Sequence, residues 1–231
     1  MGVVLDDSRM RRQTANECEA GHKTHDTKTV DTVLGPFVIW DWEKYAGQAG
    51  IYCSGQDDTS MTLDLYGVWE PYDWHRAQRY IGNREGWALD FGSHIGWYAV
   101  MFALAGLDVL AVDADPAHCA LLSINARAHG VYSRIDVRQT WVEDMEPLSP
   151  RDTVLIKSDV EGAEQDVIKV CSDIISAGSA SALFLECSPE FDSYYPKMID
   201  DLIALGYEAD VEGEPITGAT LGDTQKNVWF H

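Results

Sequence analysis

Basic charge is what this sequence has least of. Its 17 lysines and arginines face 38 acids, a formal net charge of −21 over 231 residues. Such a chain repels the phosphate backbone of DNA or RNA and gains nothing from counterion release, so nucleic-acid backbones and anionic membrane surfaces are not expected as partners. Long apolar runs are missing too. The longest, around Trp97–Leu107, is broken by Gly106 and falls short of the roughly 18–20 residues of a membrane span. Met1–Arg12 has no apolar h-region, so no secretory leader is expected and a cytoplasmic setting is. The cysteines are Cys18, Cys53, Cys119, Cys171 and Cys187, with no C-x-x-C pair, which argues against a disulfide framework or a structural zinc site. Cys119, Cys171 and Cys187 sit in apolar patterns and read as small core residues. There is no internal repeat and no G-x-G-x-x-G, the latter counting against a dinucleotide pyrophosphate site.

What is present is a globular composition, 45% apolar, and a regular order of elements. Residues 1–30 are polar and aperiodic and read as a mobile tail. Residues 31–84 read as a β/helical extension and candidate substrate lid: strand-like Phe37–Trp40 and Ile51–Cys53, then a helix over Trp69–Ile81. Its aromatics Trp69, Tyr72, Trp74 and Tyr80, with Trp87, would form a substrate wall, although a helix packed on a sheet wants the same residues.

Residues 85–231 alternate strands (Ala88–Phe91, Asp108–Val112, Ile135–Thr140, Thr153–Lys157, Ala182–Glu186) with helices (Ile95–Ala105, one opened by Asp115-Pro116, Ala163–Ser176, Tyr195–Leu205). The second helix is expected to bury Ala117, Ala120, Leu121, Ile124 and Ala128. Two β-like pieces, Tyr207–Val211 and Asn227–Phe230, close the chain as an antiparallel edge hairpin. The expected fold is α/β: a Rossmann-like, doubly wound, mainly parallel seven-stranded sheet.

Ligands of such sheets lie at the carboxyl ends of the strands. There the sequence places Asp90, Asp113, Asp159 and Glu186. Carboxylates are costly in a core but useful beside a ligand hydroxyl or amine. Gly92 and Gly96 would let the backbone after the first strand turn tightly against a ligand. Asp113 suits the two hydroxyls of a ribose. Lys157, Asp159 and Glu161 alternate, so an extended chain would point them to one side, with Lys157 moderating the acids' repulsion. Glu164 reads as an acid favouring a helix N-terminus through the dipole. Asp159 and Glu186 are base candidates, ahead of His94 and His75. Asp159, Glu161 and Glu186 are also an oxygen-rich set of the kind Mg²⁺ takes, but Lys157 opposes it and no metal is assigned.

Four runs in order, Gly67-Val68-Trp69-Glu70, Asp90-Phe91-Gly92-Ser93-His94-Ile95-Gly96, Asp113-Ala114-Asp115-Pro116 (with Asn125 downstream) and Lys157 through Glu164, give the chain a likeness to a known family. Over about Leu65–Glu186 it resembles the FkbM-type S-adenosylmethionine-dependent methyltransferases, whose motifs read approximately G-x-x-E, D-x-G-A-N-x-G, E-P-x-P and K-x-D-x-E-G-x-E. The resemblance implies a class I methyltransferase fold and S-adenosylmethionine as cofactor. It implies cofactor contacts at Glu70, Asp90, Gly92, His94, Gly96, Asp113, Trp141, Val142 and Asp159, and a catalytic group of Asp159, Glu186 and Lys157. The acceptor it implies is a small-molecule or sugar hydroxyl. Two positions depart from the pattern: His94 stands for the usual Asn, and Asp113 for the usual Glu. Two other readings of the fold are a nicotinamide-dependent oxidoreductase and a cofactor-binding subunit without turnover.

Overall fold

The computed structural model describes residues 26–45, 58–149, 151–189 and 194–231. They fall into two units divided between Trp69 and Glu70. The expected strand Ile51–Cys53 and residues 1–25 lie outside the described residues.

In the first unit β1 (Thr27–Thr32) and β2 (Gly35–Trp40) form an antiparallel hairpin. Its first strand begins inside the segment expected as a tail. A one-turn helix, α1 (Trp42–Tyr45), follows, and α2 (Asp58–Tyr66) covers the hairpin. Phe37, Ile39 and Leu63 are fully enclosed between them, and Ser60 Oγ accepts from the Trp40 N–H at 3.1 Å. Asp64 ties the pieces together, accepting from Lys28 Nζ (2.7 Å) and Trp42 Nε1 (2.9 Å).

The second unit starts with α3 (Pro71–Ile81), which has proline at its first turn and buries Trp74, Ala77 and Ile81. Then come β3 (Trp87–Phe91), α4 (Trp97–Leu104), β4 (Asp108–Asp113), α5 (Pro116–Ala128) and β5 (Ile135–Gln139). β6 (Thr153–Ser158), α6 (Glu164–Val170), α7 (Ser172–Ser176), β7 (Leu183–Cys187) and α8 (Tyr195–Ala204) continue the alternation. β8 (Ala209–Val211), β9 (Glu214–Pro215) and β10 (Lys226–Phe230) end it. The sheet runs β5-β4-β3-β6-β7-β10-β8-β9. Its first five strands are parallel, and β10 is antiparallel to both neighbours. This is the Rossmann-like doubly wound arrangement, its switch point between β3 and β6.

Three expectations need correction. The sheet has eight strands, not seven, because two residues of β9 pair with β8. The expected antiparallel pair does lie at one end of the sheet, β8 against β10, with β9 added outside it. β10 lies between β7 and β8, since Val228, Trp229 and Phe230 are fully buried and need sheet on both sides. The outermost place falls to the exposed Glu214-Pro215, where proline blunts further pairing. The helix expected over Ala163–Ser176 is broken at Cys171 (φ −94°, ψ 7°), which re-aims the chain while Val167, Cys171, Ile174 and Ile175 stay in one core. On α5 the buried face is Cys119, Leu121, Leu122, Asn125 and Ala126, and Ile124 is 49% exposed.

Helix α3 is fastened to the sheet by polar contacts. Asp73 accepts from Trp229 Nε1 (2.7 Å) and Asn227 Nδ2 (3.0 Å). Arg76 meets Asp210 with both guanidinium nitrogens at 2.5 Å and lies over the Trp229 ring. Tyr80 stacks on Trp229, and Trp74 on Trp97. These aromatics therefore act in packing. Cys119, Cys171 and Cys187 are free and buried, as their apolar settings imply.

Candidate functional site

The carboxyl ends of β4, β3, β6 and β7, adjacent in that order, bring together Asp113, Asp90, Lys157, Asp159 and Glu186. The turn after β3 is set by two glycines at positive φ, Gly92 (72°) and Gly96 (90°). A Cβ at Gly92 would stand 1.7 Å from the Asp159 carbonyl oxygen, and one at Gly96 2.6 Å from Leu122. Gly92 thus lets the β3 and β6 loops cross, and Gly96 lets α4 lie against α5. Close approach of protein to protein accounts for both. Asn125, fully buried, holds the turn by donating to the Ile95 carbonyl at 3.0 Å.

Asp113 is held by three donors. Its Oδ2 accepts from the His94 N–H (2.8 Å), and its Oδ1 from the Asp115 N–H (2.9 Å) and His118 Nδ1 (3.2 Å). Burial works against its charge, but His118 and the N–H donors outweigh it and hold the carboxyl down at about 2. His94 has a left-handed backbone (φ 47°), and its ring meets the His118 ring edge-on, centroids 4.1 Å apart. The two departures from the family pattern, His94 and Asp113, are therefore in contact.

Asp90 is fully buried, with no hydrogen-bond donor to either carboxylate oxygen among the described residues. Lys157 Nζ stands 3.6 Å away. Desolvation pushes Asp90 up to about 6, and Lys157 opposes the rise only in part. The same ammonium donates to the Gly92 carbonyl (3.1 Å) and to Asp159 (3.4 Å). Burial disfavours its charge, yet Asp159, Asp90, Glu70 and Glu186 together keep it protonated, well above the ordinary lysine range.

Asp159, Glu161 and Glu186 each bring a carboxylate oxygen within 4.8 Å of the other two. The chain is not extended there: β6 stops at Ser158, and a turn with Glu161 at φ 52° gathers the acids. Glu186 is half-buried, and Gln225 donates to it. Burial first, then Asp159, raises its carboxyl far above the usual range, so Glu186 favours its protonated form. Burial and the charge of Asp159 also raise Glu161.

Glu70 joins this group through an unusual backbone (φ 45°) just before α3. It accepts from Tyr98 OH and Asn227 Nδ2, both at 2.8 Å. Burial raises it, as does Asp159. Trp141 is half-buried beyond β5, whereas the Val142 side chain belongs to the core beside α6. His75 is exposed on α3 with its ring edge-on to Trp74. Sequence reasoning missed His118, Tyr98, Asn227 and Gln225. Only His118, five residues past Asp113, carried a local signal.

No protein-family model matches the chain, and no curated protein does. Solved structures do. The chain is similar to a precorrin 8W decarboxylase of Methanobacterium thermoautotrophicum (TM-score 0.51, 11% identity, 71% of this chain and 92% of that one). It is similar to aTrm5 in its complex with tRNALeu (0.52, 10%, 91% and 53%). It is also similar to the T. Thermophilus 16S rRNA N2 G1207 methyltransferase in complex with AdoMet and guanosine (0.50, 15%, 91% and 51%). The chain thus spans about half the length of the last two. Identities this low speak to the fold alone. That fold is the Rossmann-like α/β sheet.

Proposed function

We propose that this chain is an S-adenosylmethionine-dependent methyltransferase of the FkbM type, acting on a hydroxyl of a small molecule or sugar. The observation that carries the reading is the pocket's charge. Glu70, Asp90, Asp159, Glu161 and Glu186 converge with one buried cation, Lys157, at the ends of adjacent strands. The cofactor's chemistry fits that set. A sulfonium and an ammonium bring positive charge to an acid-rich pocket, and the buried Asp90 oxygens have no donor among the described residues. A T. Thermophilus protein of the same fold is seen with AdoMet.

When bound, the cofactor supplies a methyl on a positively charged sulfur, open to in-line displacement. The chain does the rest. Asp113 would accept from the ribose, with Trp141 and Val142 at the adenine end. Gly92, His94 and Gly96 shape the turn, and Asp90 and Glu70 would hold the methionine part. Asp159 accepts the proton that the acceptor hydroxyl releases, and Glu186, already protonated, leaves Asp159 as the base. Lys157 lies 3.4 Å from Asp159 and offsets part of the acid group's charge. The net charge of −21 favours an uncharged acceptor over RNA, and buried free thiols suit a reducing cytoplasm. No helix among the described residues is long and apolar enough to cross a membrane.

Calorimetry with S-adenosylmethionine and with NAD tests the reading. S-adenosylmethionine is expected to bind and NAD not to. Tight NAD binding with no response to S-adenosylmethionine would sink it in favour of an oxidoreductase.

A further inference from the structure

Glu164 is the one acid of the Lys157–Glu164 run that the chemistry above leaves unused. It opens α6, yet is only 2% exposed. A carboxylate that merely answers a helix dipole gains nothing from burial, which is costly unless its oxygens find donors. Here both do. Oε1 accepts from the backbone N–H groups of Val160 (3.2 Å) and Gly162 (3.4 Å), and Oε2 accepts from the Tyr195 hydroxyl of α8.

The turn so held is the one that carries the site. Its near end is fixed where the Asp159 N–H donates to the Phe91 carbonyl at 3.0 Å. Glu161 (φ 52°) and Gly162 (φ 95°) then take left-handed conformations, and an L side chain adopts such a φ only when its surroundings impose it. Between them Asp159 and Glu161 supply two of the three clustered oxygens, and β7 supplies the third through Glu186. The neighbour of Glu186, Cys187, lies within the electrostatic reach of Glu164. Glu164 thus stands behind both strand ends that build the acid group.

We infer that Glu164, anchored by Tyr195, is a positioning residue: it holds the Asp159–Gly162 turn against Glu186 and so sets the separation of the Asp159 and Glu186 carboxyls. The inference rests on the methyltransferase reading only for the use made of that pair.

The test follows the Asp159 and Glu186 carboxyls by NMR titration in the ligand-free full-length protein. Glu164→Ala, Glu164→Gln and Tyr195→Phe are compared with wild type, with melting temperature and S-adenosylmethionine calorimetry alongside. In Glu164→Ala the turn is freed, and the Glu186 titration is expected to move down by about one unit or more. Glu164→Gln is expected to keep it, since the amide oxygen still accepts both N–H groups and the amide nitrogen donates to Tyr195. In Tyr195→Phe the Val160 and Gly162 amides are expected to exchange about tenfold faster. An unchanged Glu186 titration in folded Glu164→Ala overturns the inference, as does a Glu164→Gln protein that fails to keep it. If Glu164→Ala does not fold, Tyr195→Phe decides, and unchanged amide exchange there overturns it. Wild-type protein that ignores S-adenosylmethionine sinks the methyltransferase reading, while the titrations still judge the positioning.

Discussion

Asp90 and Asp113 are the same side chain on neighbouring strands of one sheet, yet they titrate in opposite directions. Asp113 has three donors and is held down at about 2, whereas Asp90 has one ammonium 3.6 Å away and rises to about 6. Burial penalises both charges. What differs is the number of donors each oxygen meets, so enclosure alone does not say whether a buried acid is ionised. In the proposed use, Asp113 is satisfied before any ligand arrives, and Asp90 waits for a cation.

The strongest way to break this contrast is Lys157→Met. It strips Asp90 of the cation that faces it, and a buried charge left without its partner costs about 3–5 kcal/mol. Urea denaturation should show a loss of that order, partly restored by adding Asp90→Asn. A Lys157→Met protein as stable as wild type would detach Asp90 from Lys157.

The next test uses pH. The folded-state pKa of Asp90, about 6, lies above its ordinary 3.8. Its contribution to stability is therefore complete below about 4 and lost as pH rises through about 6. Asp113 has the opposite sign: its contribution is present above 3.8 and lost as pH falls toward about 2. Asp90→Asn should accordingly gain on wild type between pH 4 and 6, levelling at on the order of 3 kcal/mol. Denaturation midpoints at intervals of pH would read this, and parallel curves would mean that Asp90 is not raised.

The smallest expected effect falls on the satisfied acid. Asp113→Ala should weaken S-adenosylmethionine binding about tenfold by calorimetry, since it removes an acceptor for the ribose. An unchanged dissociation constant would mean that Asp113 serves only to fasten His94 and the turn.

Much of the second unit could be read from the sequence, because its signals are local. Asp115 caps α5 by accepting from the Ala117 N–H, Pro116 opens that helix, and Gly106 ends the previous one at φ 98°. What the sequence left unspecified lies where pairing is distant. Nothing near Asn227–Phe230 says that this strand inserts between β7 and β8, because the reason is the burial of Trp229 under α3. The rotation of the α5 face was missed because Asn125, a polar residue, turned out to be core.

The same division runs through the candidate site. Asp90, Asp113, Asp159 and Glu186 were legible as acids at strand ends, since strand periodicity and the parallel sheet place them at one rim. Their charge states were not. Those depend on burial and on neighbours such as Lys157 beside Asp90 and His118 beside Asp113, which the fold brings to them from other elements. Glu70 reaches Asn227 across 157 residues, and Tyr195 reaches Glu164 across 31.

By itself, then, the sequence determined the alternation of elements, the parallel core and which carboxyls meet at its rim, because those follow from periodicity and capping within a few residues. Only the tertiary structure decided which of these acids keep a proton, which glycine serves close packing and which strand closes the sheet. Desolvation and hydrogen-bond satisfaction are properties of what surrounds a group in space, and that is set by contacts between distant parts of the chain.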